Sequence, residues 1–283
     1  MGSKLEIDNI VAASGLNLTS PTVPSSVTDT GTAGDISWDS NYIYVCTATN
    51  AWKRTAALSS WLPDIAGLQL WLDADDSDTI TLNGGTVSQW NDKSGNGYNV
   101  SQSTASNQPT YTASALNGKS VVRFDGGDEL NGSATVVGGS TNRTVFVVFN
   151  CNNFGTTPAY GVTLGDSTSN GESFGVSREI AVRVNSGYRT WTTAVDSTHA
   201  IVTIVLDGTS TTGLSAWKNG SILTANLTSA RTLNTAAGFI VGNGTAGGEL
   251  NGDVAEIIVY NSALSTSDRQ SVESYLSTKW GIS

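Results

Sequence analysis

At 283 residues the chain can bury one substantial core, and one large β domain with a smaller appendage is the natural arrangement at that size. Only 13% of residues are charged, while Ser and Thr number 72 and Gly 31, which disfavours helix interiors and favours sheets joined by short turns. A formal net charge of -10 with no Lys/Arg cluster excludes nucleic-acid binding, and no apolar run is long enough to insert across a membrane.

Residues 1–27 begin "MGSKLEIDNIVAASG", which lacks the apolar region and cleavage site of a secretory leader and so predicts no export by the general pathway. They continue as "LNLTSPTVPSS", an extended, Pro-punctuated arm. Residues 28–62 hold three strand-forming runs, "DISW", "NYIYVCT" and "WKRTAAL", separated by the turn signals "DSN" and "ATNA". A three-stranded meander of this size buries too little to stand alone, which predicts an oligomerising or docking module and a homotrimer.

Residues 63–283 are a succession of short strands, among them "LQLWLDA", "SVVRFDG", "RTVFVVFNC", "AIVTIVLDG" and "GDVAEIIVY", divided by Gly, Asn, Asp and Ser clusters. Such spacing without intervening helices predicts an all-β, antiparallel β-sandwich or barrel. "KNG" at 218–220 is a hairpin signal, because Asn-Gly tolerates the positive φ of a type I′ turn. One helix is expected, and it is the last element: Ser265 and Asp268 form a capping pattern, Val272, Tyr275, Leu276 and Trp280 share a face, and Gly281 ends it. Trp71, Trp90, Trp217 and Trp280 fall on strands or on that face and read as core. Cys46 and Cys151 are too few for a disulfide framework and read as buried free thiols.

Four patches combine: "LQLWLDADD" at 68–76, "WNDKSGNGYNV" at 90–100, "VVRFDGGDEL" at 121–130 and "LNGDVAEIIVYNSALSTSDRQSVESYL" at 250–276. Their order and spacing resemble the laminin G-like jelly-roll branch of the concanavalin A-like lectin/glucanase superfamily, over residues 64–283. That resemblance implies two stacked antiparallel sheets with the first and last strands side by side. The segment "GTAGDISWDSNYIYVCTATNAWKRTAAL" resembles a short module near the ends of bacteriophage tail-fibre and other virion structural proteins. It implies a virion location with other virion proteins as partners, which also reconciles a hydroxyl-rich, extracellular-looking surface with the missing leader and sparse cysteines. The combined expectation is a tail or capsid fibre that recognises a host-surface carbohydrate. The alternatives are a capsid decoration protein without a ligand and a bacterial surface-adhesion domain.

No enzyme is expected. Retaining glycosidases need two carboxylates about 5–5.5 Å apart, and Asp253 and Glu256, three apart on a regular strand, should point to opposite faces. "GESFG" at 171–175, with Asp196 and His199 following, matches the esterase G-x-S-x-G pattern but has strands on both sides where that elbow needs a helix. "GNGTAG" at 242–247 reads as a loop, since no helix follows. The run Asp73–Asp78 suggests calcium through Asp75, Asp76 and Asp92, although Asp78 and Gly84 stand where an EF-hand needs Gly and Glu; the bland reading is a solvated turn. "SGNG" at 94–97 reads as a tight turn capped by Asp92. For a sugar, Tyr188, Arg189 and Trp191 in "NSGYRTW" are the candidates, because an aromatic pair beside an Arg in an exposed turn offers both a stacking face and hydrogen bonds.

Overall fold

The computed structural model describes residues 24, 26–38, 42–56, 62–139, 141–152, 159–165, 174–178, 181–184, 187–191, 195–227, 238–244 and 248–283. The arm expected over 1–27 therefore falls almost wholly outside the described residues. The chain divides into two compact units, Met1–Trp61 and Leu62–Ser283.

The smaller unit is an antiparallel meander of Ile36–Trp38, Tyr42–Ala48 and Ala51–Ala56, as the three apolar runs predict. Its second turn is tightened by Asn50 at φ 56, a left-handed value that Asn accepts more readily than most residues. Tyr44 and Cys46 are buried, and Trp52 donates from its indole N–H to the Asp29 carbonyl at 3.1 Å. Val27 and Ile36, by contrast, are 72% and 45% exposed.

The larger unit is a β-sandwich. Its hydrogen-bonded path runs Phe174–Ser177, Tyr160–Leu164, Phe239–Val241, Leu130–Gly132, Val100–Ser101 and Thr86–Trp90. It then crosses by the pair Thr86–Thr110 into Thr110–Leu116, Lys119–Asp125, Asn251–Tyr260, Arg143–Phe149, Ala200–Leu206, Leu214–Lys218 and Ser221–Ile222. Trp90, Leu130, Val162, Leu164 and Phe239 from the first run meet Val122, Phe124, Val147, Phe149, Ile204 and Ile257 from the second in one core. The opening strand Leu68–Asp73 pairs with the closing strand Asn251–Tyr260, as the jelly-roll resemblance implies. A separate three-stranded sheet joins Ala181–Val184, Gly187–Trp191 and Ala225–Leu227.

The second layer is apolar on both faces, which is why "RTVFVVF" carries no polar alternation and every residue of Arg143–Phe149 is buried. Its outer face holds Val121, Phe146, Val148, Ile201 and Ile258, covered by the helix Thr266–Trp280 through Val272, Tyr275, Leu276 and Trp280. The helix starts where the capping pattern predicts, with the Ser265 hydroxyl accepting from the Asp268 N–H, and ends at Gly281 in the left-handed region. Asn219 and Gly220, at φ 49 and 75, make the expected hairpin. Both cysteines are buried thiols outside any disulfide. Trp90 and Trp280 are wholly enclosed, whereas Trp71 and Trp217 are only half-buried: Trp71 lies under Lys93 and Trp217 under the Arg269 guanidinium at 4.1 Å.

Candidate functional site

Asp75, Asp76 and Asp92, beside the opening strand, are each engaged by different donors. Asp92 accepts from the Trp71 N–H (2.9 Å), the Ser94 N–H (2.9 Å), the Tyr98 N–H (3.0 Å) and the Ser94 hydroxyl (2.7 Å). It thereby caps the "SGNG" turn and fastens it to the opening strand, helped by Asn96, whose amide donates to the Gln69 carbonyl at 2.9 Å. Gly95 and Gly97 take the positive φ values that the turn requires. Asp75 accepts from the Ser120 N–H and Lys119, and Asp76 from Lys93 at 2.6 Å. The calcium set of Asp75, Asp76 and Asp92 is thus not brought together. Among the described residues no group of three or more His, Cys, Asp or Glu side chains is arranged to hold a metal ion.

A denser polar cluster lies between the second layer and the helix. Glu256, fully enclosed in the closing strand, accepts from the indole N–H of Trp71 (2.7 Å) and of Trp280 (2.6 Å), the Tyr275 hydroxyl (2.8 Å) and Lys279 (2.9 Å). Its partner directly across the strand pair is Asp73, whose Oδ1 lies 2.6 Å from Lys279 Nζ and whose Oδ2 lies 2.9 Å from Lys93 Nζ. Burial pushes the Glu256 carboxyl above its ordinary value, and the Asp73 charge adds to that against the pull of Lys279. At Asp73 burial acts the same way, but Lys279 and Lys93 outweigh it and hold the carboxyl below the usual range.

The structure corrects the placement of Asp253. Val148 pairs with Glu256 while the next residue, Phe149, pairs with Val254, so the closing strand carries one extra residue there, a β-bulge. Val254, Ile257 and Val259 face the sandwich core, whereas Ala255, Ile258 and Tyr260 face the helix side. Asp253 and Glu256 consequently lie on the same side of the sheet, not on opposite sides. Asp253 is clamped by both nitrogens of the Arg123 fork at 2.6 and 2.9 Å, with His199 Nε2 at 3.3 Å. Burial raises its carboxyl, but Arg123 and His199 pull harder and leave it below the usual range. Asp196, the other acid considered beside His199, pairs with Arg178 at 3.1 Å instead. Ser173, and Gly247 of the second glycine motif, lie outside the described residues.

Tyr188, Arg189 and Trp191 lie on the strand Gly187–Trp191, not in a turn, paired with Arg183, Val182 and Ala225 across the small sheet: Tyr188 with Arg183, Arg189 with Val182, Trp191 with Ala225. Their side chains lie outside the described set. A cavity of about 450 Å³, lined by Leu116, Asn117, Ser197, Thr198, His199 and Ile282, opens on the helix side of the second layer. Sequence reasoning did not find it, because its walls come from four segments far apart in the chain, residues 116–117, 197–199, 219 and 281–283.

The solved structures with similar architecture are β-sandwich domains. Domain 4 of AbnA, an extracellular GH43 arabinanase from Geobacillus stearothermophilus, solved in complex with arabinotriose, superposes with a TM-score of 0.52 at 12% identity, covering 74% of this chain and 98% of that domain. The chain shares that fold. A GH54 α-L-arabinofuranosidase, at 14% identity and TM-score 0.48, covers 76% of this chain and 60% of its own. A sialidase from Trypanosoma rangeli, at 13% and 0.47, covers 77% and 34%. No family model matches the chain, and no curated protein matches it.

Proposed function

We propose that the Leu62–Ser283 sandwich is a non-catalytic glycan-binding module and that the chain is a virion surface protein, a tail or capsid fibre, whose sandwich recognises a host-surface carbohydrate. The observation that carries the glycan reading is the fold shared with nearly the whole of a domain solved with an arabinose trisaccharide bound. The chemistry around the two carboxylates of the closing strand supports a binder over an enzyme. Glu256 is saturated by four donors beneath the helix and has no exposed surface, and Asp253 is buried and held by both Arg123 nitrogens, so neither carboxylate is presented to a glycosidic oxygen.

The virion reading rests on the resemblance of residues 31–58 to the fibre-associated module. Exposed Val27 and Ile36 on a small, open-edged meander suit a unit that completes its core against copies of itself or other virion proteins. We assign sugar contact to Tyr188, Arg189 and Trp191.

An array of host-surface glycans and arabino-oligosaccharides tests the reading. The expected result is binding that Trp191→Ala weakens about 10-fold or more, as loss of an aromatic stacking face does. Loss in His199→Ala with Trp191→Ala unaffected would move the site to the cavity beside His199. A silent array with tight binding to empty capsids would replace adhesion by decoration. Light scattering of the full chain should give a trimer, and a monomer would remove the oligomerisation reading.

A further inference from the structure

We propose that Lys279 and Asp73 are joined by an intramolecular amide, formed without a cofactor with Glu256 as the proton-transfer group, so that the C-terminal helix is covalently stapled to the opening strand. The reading is independent of the ligand. Its basis is the juxtaposition of three side chains from three elements. Lys279 Nζ lies 2.6 Å from Asp73 Oδ1 and 2.9 Å from Glu256 Oε2, and the side chains of Lys279, Asp73 and Glu256 are 9%, 6% and 0% exposed. An amine and a carboxyl fixed at that distance react as an effectively unimolecular pair, with effective molarities up to about 10⁸ M for well-aligned groups.

The surroundings favour a neutral product. Asp73 and Glu256 are direct cross-strand neighbours, an arrangement that like charges destabilise. Trp71, Tyr275 and Trp280 wall the site, with Lys279 Nζ 5.0 Å from the Trp280 ring and 5.6 Å from the Tyr275 ring. Holding an ammonium and two carboxylates there carries a large desolvation penalty. Converting one ammonium–carboxylate pair to an amide removes two of those charges.

The step balances without any further reagent. The Lys279 ammonium gives one proton to the Glu256 carboxylate, whose acidity burial has weakened. Glu256 passes that proton on to Asp73 Oδ1, and the freed nitrogen lone pair attacks Cγ of the now neutral carboxyl, forming the C–N bond while Lys93 Nζ on Oδ2 stabilises the negative charge that develops on that oxygen. The C–Oδ1 bond then breaks, and Oδ1 leaves as water carrying the proton returned by Glu256 and a second proton from nitrogen. The sum is R–NH₃⁺ plus R′–COO⁻ giving R′–CO–NH–R and H₂O. No electron changes hands, and Glu256 ends as it began.

Denaturing mass spectrometry of the purified full chain decides the matter. The expected mass is lower than the sequence mass by one water, about 18 Da, as a single condensation requires. Proteolysis should yield one branched peptide joining the segment with Asp73 to the segment with Lys279, uncleaved at Lys279. Lys279→Arg, which removes the amine nucleophile, and Asp73→Ala, which removes the carbonyl electrophile, should each remove that branched peptide, and Glu256→Gln should slow its appearance at least 10-fold. A wild-type chain that stays at full sequence mass after prolonged incubation overturns the proposal whether or not the variants fold. So does a loss of the same mass that maps to a succinimide, for example at Asp125–Gly126.

Discussion

Replacing Asp92 with Ala should damage the sandwich more than its exposed-looking turn suggests. The carboxylate accepts from three backbone N–H groups, those of Trp71, Ser94 and Tyr98, and from one hydroxyl. Hydrogen bonds to a charged acceptor contribute about 1.5–3 kcal/mol each when measured singly, and they do not add when they share one acceptor. Because Asp92 is partly solvated and water can reach some of the freed donors, we take ~3 kcal/mol for the whole set. In a unit of this size 1 kcal/mol moves the melting temperature by about 2–4 °C, so Asp92→Ala should melt roughly 6–12 °C lower. Asp92→Asn, which keeps one acceptor oxygen, should lose about half as much. Urea titration followed by tryptophan fluorescence reads the change, and Trp71 places a reporter beside the turn. Millimolar calcium should leave the difference between wild type and variant unchanged. A loss below about 1 kcal/mol, or a midpoint that calcium shifts only in wild type, would refute the claim that Asp92 is a backbone clasp.

Further outcomes follow from other positions. At Gly252 an added methyl would lie 2.3 Å from the Asn150 carbonyl oxygen, a backbone atom that cannot swing aside, so Gly252→Ala should cost ~3 kcal/mol or more in the same titration. Ser265→Ala removes the helix cap and should cost about 1 kcal/mol. Asp253 has a folded pKa below its unfolded value, so its contribution is present above the unfolded value near 4 and is lost as pH falls through the folded one. Stability measured from pH 5 downward should therefore fall less steeply in Arg123→Ala than in wild type. Cys46 and Cys151, both buried thiols, should resist a thiol reagent until the chain unfolds.

Regular patterns were legible in the sequence, and irregularities were not. The Asn-Gly hairpin, the S-x-x-D cap and the doubly apolar run of Arg143–Phe149 each state a local preference that the fold keeps. The bulge in the closing strand has no such mark: "GDVAEIIVY" reads as an even strand, and only pairing with Val148 and Phe149 shows the extra residue that brings Asp253 and Glu256 to one side. Glu256 did carry a signal. An acid flanked by apolar residues in a buried strand needs donors, and Tyr275 stands about one helical turn before Lys279 and Trp280 in the helix that covers it. The exposed-turn reading of "NSGYRTW" followed its Asn-Ser-Gly signal, whereas Gly187–Trp191 pairs as strand.

The position of Asn251–Tyr260 in the chain also governs how the protein can be made. That strand pairs along one edge with Arg143–Phe149 and along the other with Lys119–Asp125 and Leu68–Asp73, yet it follows all three in synthesis. Until it leaves the ribosome, those earlier strands have apolar faces and open edges with no partner. The sandwich must therefore close late and as one cooperative unit, slowly for its size, and chains truncated before residue 251 should aggregate and not persist as a partial fold.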